Sequence, residues 1–284
     1  MKILFLCSGG DAPGMNRYIW ELYSKFKKET YFAYAGFDGL IKGKIDPLSS
    51  VIDKKLKDEA GTVTKTSRCP EFKQAKYFKI GLENTKGFDV VIVFGGNGSQ
   101  KGAKQLFEHG VNTIFIPGTI DNDVLDCEYS IGFSTAVKEG VYAIENSMPS
   151  NDAMSLACIY EVMGRECDAI ALKVAENVCA DYCISNKKSL DLQKLKKIIE
   201  TNYNNQLSSC IVLRENLTDA KQLTEKLNES LGKKIVRYHI VGRTQRGGKP
   251  TEEELVMATK YAKKTIECIK SNTFGVRLLA DKNK

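Results

Sequence analysis

The stretch DVVIVFGGNGSQKGAKQLFEHGVNTIFIPGTIDND (residues 89–123) reads as strand, glycine turn, helix, strand and a turn carrying two acids. Its apolar runs, DVVIVFGG (89–96) and NTIFIPG (112–118), lack polar alternation, so each predicts a strand buried on both faces. Between them, SQKGAKQLFEHG (99–110) spaces its apolar residues by three and four, and Gly110 supplies a helix stop. The same grammar extends outward on the N-terminal side. KILFLC (2–7) and FAYAGF (32–37) read as strands, and MNRYIWELYSKFKK (15–28) and EFKQAKYFKIGLEN (71–84) as helices. TAVKEGVYAIENSM (135–148) is helical as well. Strand, glycine turn and helix in succession specify a mostly parallel sheet covered by helices.

The second half repeats the pattern less cleanly. SLACIYEVMG (155–164), SSCIVLREN (208–216) and KIVRYHIVG (234–242) are the candidate strands. DAIALKVAENVCA (168–180), SLDLQKLKKIIETNY (189–203) and DAKQLTEKLNESLGK (219–233) are the candidate helices. A long helix over 251–271 starts at Thr251, a good cap with acids in its first turn. No low-complexity linker separates the halves, so two closely packed α/β lobes with a cleft between them are expected.

Composition narrows the possibilities. The chain has 284 residues, 42% hydrophobic and 27% charged, ordinary for a soluble globular protein. No apolar run reaches the roughly 18 residues of a membrane span, and the N-terminal apolar stretch stops at Gly9, strand-like rather than a leader. A cytoplasmic protein with no membrane partner is expected. The nine cysteines form no C-x-x-C pair and there are two histidines, which argues against a zinc site. Cys7, Cys158 and Cys210 lie in apolar runs and read as small core residues. The net charge of +7 suits an anionic partner. The basic residues are dispersed, and KKLK (54–57) and KLKK (194–197) read as solvated helix faces rather than a nucleic-acid surface.

Three motifs fall at predicted strand ends: SGGDAPG (8–14), GGNGS (95–99) and PGTIDND (117–123). In open parallel sheets ligands bind at the carboxyl ends of strands. Glycines there let a backbone approach closely, and the helix N-terminus just beyond presents amides to an anion. One such turn is explained by tight packing; three together point to a phosphate site. Beside it, Asp121 is the candidate base for a substrate hydroxyl, and Asp123 the candidate orienter or metal partner. Either acid could instead close an Asx turn. Arg68, Arg165, Arg237, Arg243 and Arg246 lie at loop ends beside glycines or proline, where guanidinium groups suit phosphate oxygens.

Taken in order, SGGDAPGMN, SRCPEF, GGNGS, PGTIDND, Gly132-Phe133 with Thr135-Ala136, EVMGR and GRTQRGGKP resemble the phosphofructokinase family, in its bacterial ATP-dependent form, from the first strand to about residue 260. The resemblance implies an α/β protein of two Rossmann-like lobes, with mostly parallel sheets and the active site in the cleft between them. Residues 1–134 with 247–284 would form the ATP-binding lobe, and 135–246 the sugar-phosphate lobe. It implies transfer of the γ-phosphoryl of ATP to the 1-hydroxyl of fructose 6-phosphate with Mg²⁺, in a homotetramer. Asp121 falls at the family's base, Thr119 and Asp123 at the reacting centre, and Arg68 and Arg165 near the transferring group. Gly9, Arg68, Cys69, Gly96, Asn97, Gly98 and Ser99 fall along the ATP site. Thr119, Ile120, Asp121, Met163, Gly164, Arg165, Glu215, Arg237, Arg243, Thr244, Gln245 and Arg246 fall along the sugar-phosphate site. Glycine at 98 and 118 favours ATP over pyrophosphate, since pyrophosphate-dependent relatives carry bulkier residues there.

Three departures stand out. Asn97 replaces the acid that helps hold Mg²⁺ in the family, and an amide contributes less charge to a hard cation. Leu156 stands where the family has an arginine that reaches a neighbouring subunit's sugar phosphate, while Arg243 replaces the usual His. Trp20 and Ser24 stand where the first helix usually carries two effector-site arginines, Ala180 near the effector-site acid, and the chain stops soon after FGVRLL, so activation by ADP is not expected. An active, unregulated enzyme and a catalytically impaired sugar-phosphate-binding or regulatory paralogue are both compatible with these features.

Overall fold

The unbroken apolar runs become the middle of a parallel sheet. In the computed structural model, which describes residues 1–279, the chain forms two units: Met1–Thr135 together with the chain from Arg246 onward, and Ala136–Gln245. The first unit holds β1 (Ile3–Ser8), α1 (Met15–Phe26), β2 (Thr30–Ala33), α2 (Phe37–Ile41), β3 (Ile45–Pro47), α3 (Ala75–Asn84), β4 (Val90–Gly95), α4 (Asn97–Glu108), β5 (Thr113–Pro117) and the start of α5 (Phe133–Asp152). The second holds β6 (Ala157–Val162), α6 (Ala169–Asn177), β7 (Tyr182–Ile184), α7 (Leu192–Asn204), β8 (Ser209–Arg214), α8 (Ala220–Leu231) and β9 (Val236–Ile240), and α9 (Thr244–Gly247) spans the return. Back in the first unit come α10 (Glu252–Lys270) and β10 (Val276–Arg277).

The first sheet runs β10-β5-β4-β1-β2-β3. Its ladders are parallel except for β2 against β3. The chain leaves β1 toward β2 and returns on the other side as β4, so the order reverses between β1 and β4. The ladder joining these two runs to Ser8 opposite Gly95. This crevice is where a doubly wound sheet receives ligands. The second sheet runs β7-β8-β6-β9 and is parallel throughout.

Alternate strand residues enter cores on both faces of the first sheet, which is why the runs show no polar period. Leu4, Leu6, Val91, Val93 and Phe115 pack with Phe37, Phe72 and Leu106 on one face. On the other, Phe94 meets Tyr18 and Phe5 edge-on, with ring centroids 5.0 and 6.2 Å apart, and the Tyr18 hydroxyl lies 2.8 Å from Thr265 Oγ1 of α10. Cys7, Cys158 and Cys210 are buried as expected, and burial pushes their thiols up to about 11, 11 and 12. Among the described residues no helix is long and apolar enough to cross a membrane.

Local boundaries depart from the sequence reading, three of them as follows. FAYAGF is a strand only to Ala33: Ala35 and Gly36 take positive φ, and a Cβ on Gly36 would lie 2.1 Å from the Cys7 carbonyl oxygen, so the chain turns into α2. The helix expected over 71–84 is a 3₁₀ turn, Pro70–Lys73, and α3, separated by an extended Gln74. Finally, α5 begins two residues earlier than the expected helix and ends four later. The final stretch of the 247–284 segment, 280–284, lies outside the described residues.

Candidate functional site

Three glycine turns converge at the carboxyl ends of β1, β4 and β5. Ser99 Oγ, in the first turn of α4, donates to the Ser8 carbonyl at 3.0 Å, and the Gly118 amide donates to the Gly95 carbonyl at 2.9 Å. A Cβ on Gly95 would meet Ser8 O at 2.3 Å and Ser99 Oγ at 2.4 Å, so no other residue fits there. The Gly9 amide donates to the Ser67 carbonyl at 3.0 Å and Thr66 Oγ1 to the Gly9 carbonyl at 3.2 Å, which ties the SRCPEF loop to the end of β1. Arg68 is thereby held at the turn with its side chain exposed, and Cys69 is half-buried. Gly98 faces open space, with nothing within 4 Å of where a Cβ would stand. Gly118 differs: its Cβ would lie 2.0 Å from Phe94 Cε2, so the buried aromatic trio forbids a side chain at 118.

Asn122 helps to close the loop after β5. Asn122 adopts positive φ, its Oδ1 accepts from the Ser130 amide at 2.8 Å and from Ser130 Oγ at 2.9 Å, and Ser130 Oγ also donates to the Thr119 carbonyl at 2.7 Å. Thr119 and Asp121 are buried by this closure, at 8% and 4% exposure, and Thr119 Oγ1 accepts the Asp121 amide at 3.2 Å. The Ile120 side chain is fully buried and turned toward the core. Asp123 faces Asn97: the amide nitrogen of Asn97 lies 3.0 Å from both the carbonyl oxygen and the Oδ2 of Asp123.

Two more residues of the first unit bear on this end. Arg246 donates to the Asp11 carbonyl at 2.7 Å, and its guanidinium covers Gly10, whose Cβ would lie 2.7 Å from Nη1. Glu254 is fully buried and accepts from the Gly132 amide (2.7 Å), the Thr135 amide (3.2 Å), Thr135 Oγ1 (3.1 Å) and Ser134 Oγ (3.1 Å). A carboxylate from α10 thus caps the open N-terminus of α5. Burial pushes its carboxyl up to about 7 against the pull of these donors. In the sequence Glu254 stands out only as a first-turn acid of its own helix. The partner of such a side chain lies more than a hundred residues away and leaves no local signal.

In the second unit the ends of β6 and β8 meet. The Glu215 carboxylate accepts from the Gly164 amide at 3.0 Å and the Arg165 amide at 2.8 Å. Arg214 donates to the Arg165 carbonyl at 2.6 Å. Arg165 adopts φ 51°, a conformation costly for a non-glycine residue, and its exposed side chain is carried by a backbone pinned on both sides. Gln245 is fully buried, with Oε1 accepting the Met163 amide at 2.8 Å and Nε2 donating to the Ala136 carbonyl at 2.9 Å. It has no face left for a ligand. Arg237, Arg243 and Thr244 lie toward solvent, Arg237 on the edge strand β9. Leu156 is packed in the apolar core of this unit beside Ile159 and Ile211. Trp20 of α1 lies against Tyr23, and Ser24 is exposed.

Doubly wound parallel sheets with glycine turns and a helix N-terminus at the switch point define a phosphate- or nucleotide-binding α/β protein. Residues 2–269 match the model of the phosphofructokinase family. The chain belongs to that family. It is 34% identical over 281 residues to the ATP-dependent 6-phosphofructokinase of Streptococcus sanguinis, covering 97% of this chain and 84% of that protein. It is 35% identical over 274 residues to the protein of the same name from Photobacterium profundum, covering 94% and 85%. The structure superposes on Pichia pastoris phosphofructokinase with a TM-score of 0.87 at 24% identity, over all of this chain and 34% of that longer one.

Proposed function

We propose that the chain is an ATP-dependent 6-phosphofructokinase, moving the γ-phosphoryl group of ATP to the 1-hydroxyl of fructose 6-phosphate in glycolysis. The observation that carries this reading is the loop after β5, which keeps PGTIDND in a chain of a phosphofructokinase family and buries Asp121 at the switch-point end of the sheet. Asp121 takes the hydroxyl proton as the oxygen attacks. Thr119 and Asp123 shape the loop around it. Arg68 and Arg165 neutralise charge on the transferring group, the main lever in phosphoryl transfer. Gly9, Gly96, Gly98 and Ser99, with Arg68 and Cys69, receive the nucleotide, and the open space over Gly98 leaves room for it. Met163, Gly164, Glu215, Arg237, Arg243, Thr244 and Arg246 serve the sugar phosphate. Ile120 and Gln245 act through the fold.

Mg²⁺ enters with the nucleotide, as part of that substrate. The Asn97 amide turns its hydrogens toward Asp123, and among the described residues no three of His, Cys, Asp and Glu group to hold a metal. These residues do not fit an ion held by the chain alone. The reading extends to a cytoplasmic homotetramer with neither nucleic-acid nor membrane partners. A coupled assay with ATP, Mg²⁺ and fructose 6-phosphate tests it: turnover in wild type that is lost in Asp121→Ser supports it, and a silent wild type that still binds ATP overturns it.

A further inference from the structure

The first turn of α4 opens on Asn97, half-buried between Gly96 and Gly98. Its Nδ2 reaches two atoms of one residue across the site, the main-chain carbonyl oxygen and the carboxylate Oδ2 of Asp123, each at 3.0 Å. Both partners are acceptors only, so the amide must present its NH₂ group to them and not its oxygen. A cation brought to this point would meet the hydrogens of that NH₂ group instead of a lone pair. Gly98 beside it faces open space, so packing from that side does not dictate the orientation.

The contact joins two elements beyond the end of the β4–β5 ladder. One end is the N-terminus of α4, and the other is the loop that carries Thr119 and Asp121. Asn122 and Ser130 close that loop on its far side. Asn97 holds its near side, through Asp123, against the turn that follows β4.

We propose that Asn97 is a positioning residue whose amide clasps Asp123 and sets the 119–123 loop without a divalent ion. The proposal deepens the phosphofructokinase reading and rests on it for the meaning of the loop. The chain without nucleotide then has its loop set without metal. An aspartate at 97 would put two carboxylates face to face, a repulsive pair that a cation or a shared proton relieves.

The test needs no turnover. Wild type, Asn97→Asp and Asn97→Ala are melted without nucleotide, with and without Mg²⁺, and titrated with Mn²⁺ by electron paramagnetic resonance. The wild-type midpoint stays unchanged on adding Mg²⁺. Asn97→Asp melts about 3–6 °C lower and recovers with Mg²⁺. Asn97→Ala also melts lower but does not recover. Asn97→Asp binds Mn²⁺ about ten-fold more tightly than wild type. A wild type that gains as much from Mg²⁺ as Asn97→Asp, or binds Mn²⁺ as tightly, overturns the proposal. So does an Asn97→Ala that melts at the wild-type temperature. Turnover with MgATP is scored separately: a silent wild type with this melting pattern removes the kinase reading and leaves the clasp, while an active wild type that responds to metal removes the clasp alone.

Discussion

Replacing the Asp121 carboxylate by an amide of the same shape isolates its chemistry. Asp121→Asn should lower kcat by about 10²- to 10⁴-fold, the range for loss of a positioned general base, with ATP affinity retained in a fluorescence or calorimetric titration. Unchanged kcat would remove Asp121 as the base. The glycines give a second contrast. Gly118→Ala drives a methyl into the Phe94 ring and should cost about 1–3 kcal/mol in urea unfolding, the usual range for overpacking a core. Gly98→Ala meets nothing within 4 Å and should stay within about 0.5 kcal/mol of wild type. Equal effects at both positions would contradict this difference in packing. The two glycines look alike in the sequence, and only the position of Phe94 separates them.

At the scale of elements, Glu254 joins α10 to the start of α5. The buried carboxyl holds a proton in the folded chain up to about pH 7, whereas the unfolded chain releases it near the ordinary value of 4.5. Between those limits the folded state binds more protons, so stability falls as pH rises from about 4.5 through 7. Urea midpoints across that window should show the decline, by up to about 1.4 kcal/mol per pH unit from this group. Glu254→Gln should flatten it while costing about 1–3 kcal/mol for lost acceptors. A variant that keeps the wild-type slope would show that another group titrates. The helix periods of α1, α4, α7, α8 and α10 were legible because each buries one apolar stripe. The short strands β3, β7 and β10 were not, since two or three residues carry no period. The start of α5 was hidden because its cap comes from α10.

For the whole molecule, the effector reading makes a kinetic prediction. With Trp20 and Ser24 on α1 in place of two arginines, ADP should leave the half-saturation concentration for fructose 6-phosphate unchanged in steady-state assays. A fall of several-fold on adding ADP would refute it. The α/β class, the parallel sheets and the glycine turns at strand ends were readable from residues 89–123 outward, because buried strands and amphipathic helices write their period directly into the chain. The family motifs made Thr119, Asp121, Arg68 and Arg165 candidates for the site. What the sequence determined by itself is therefore the α/β class, the longer strands and helices and the glycine turns at their ends. Only the tertiary structure decided which of these side chains are taken up by the fold. Gln245 and Ile120 are consumed by packing, Asn122 helps to close the loop, and Asn97 turns its amide onto Asp123. The reason is physical: a hydrogen bond between residues 26 or 122 positions apart depends on how sheets and helices bring them together, and no local pattern encodes that distance.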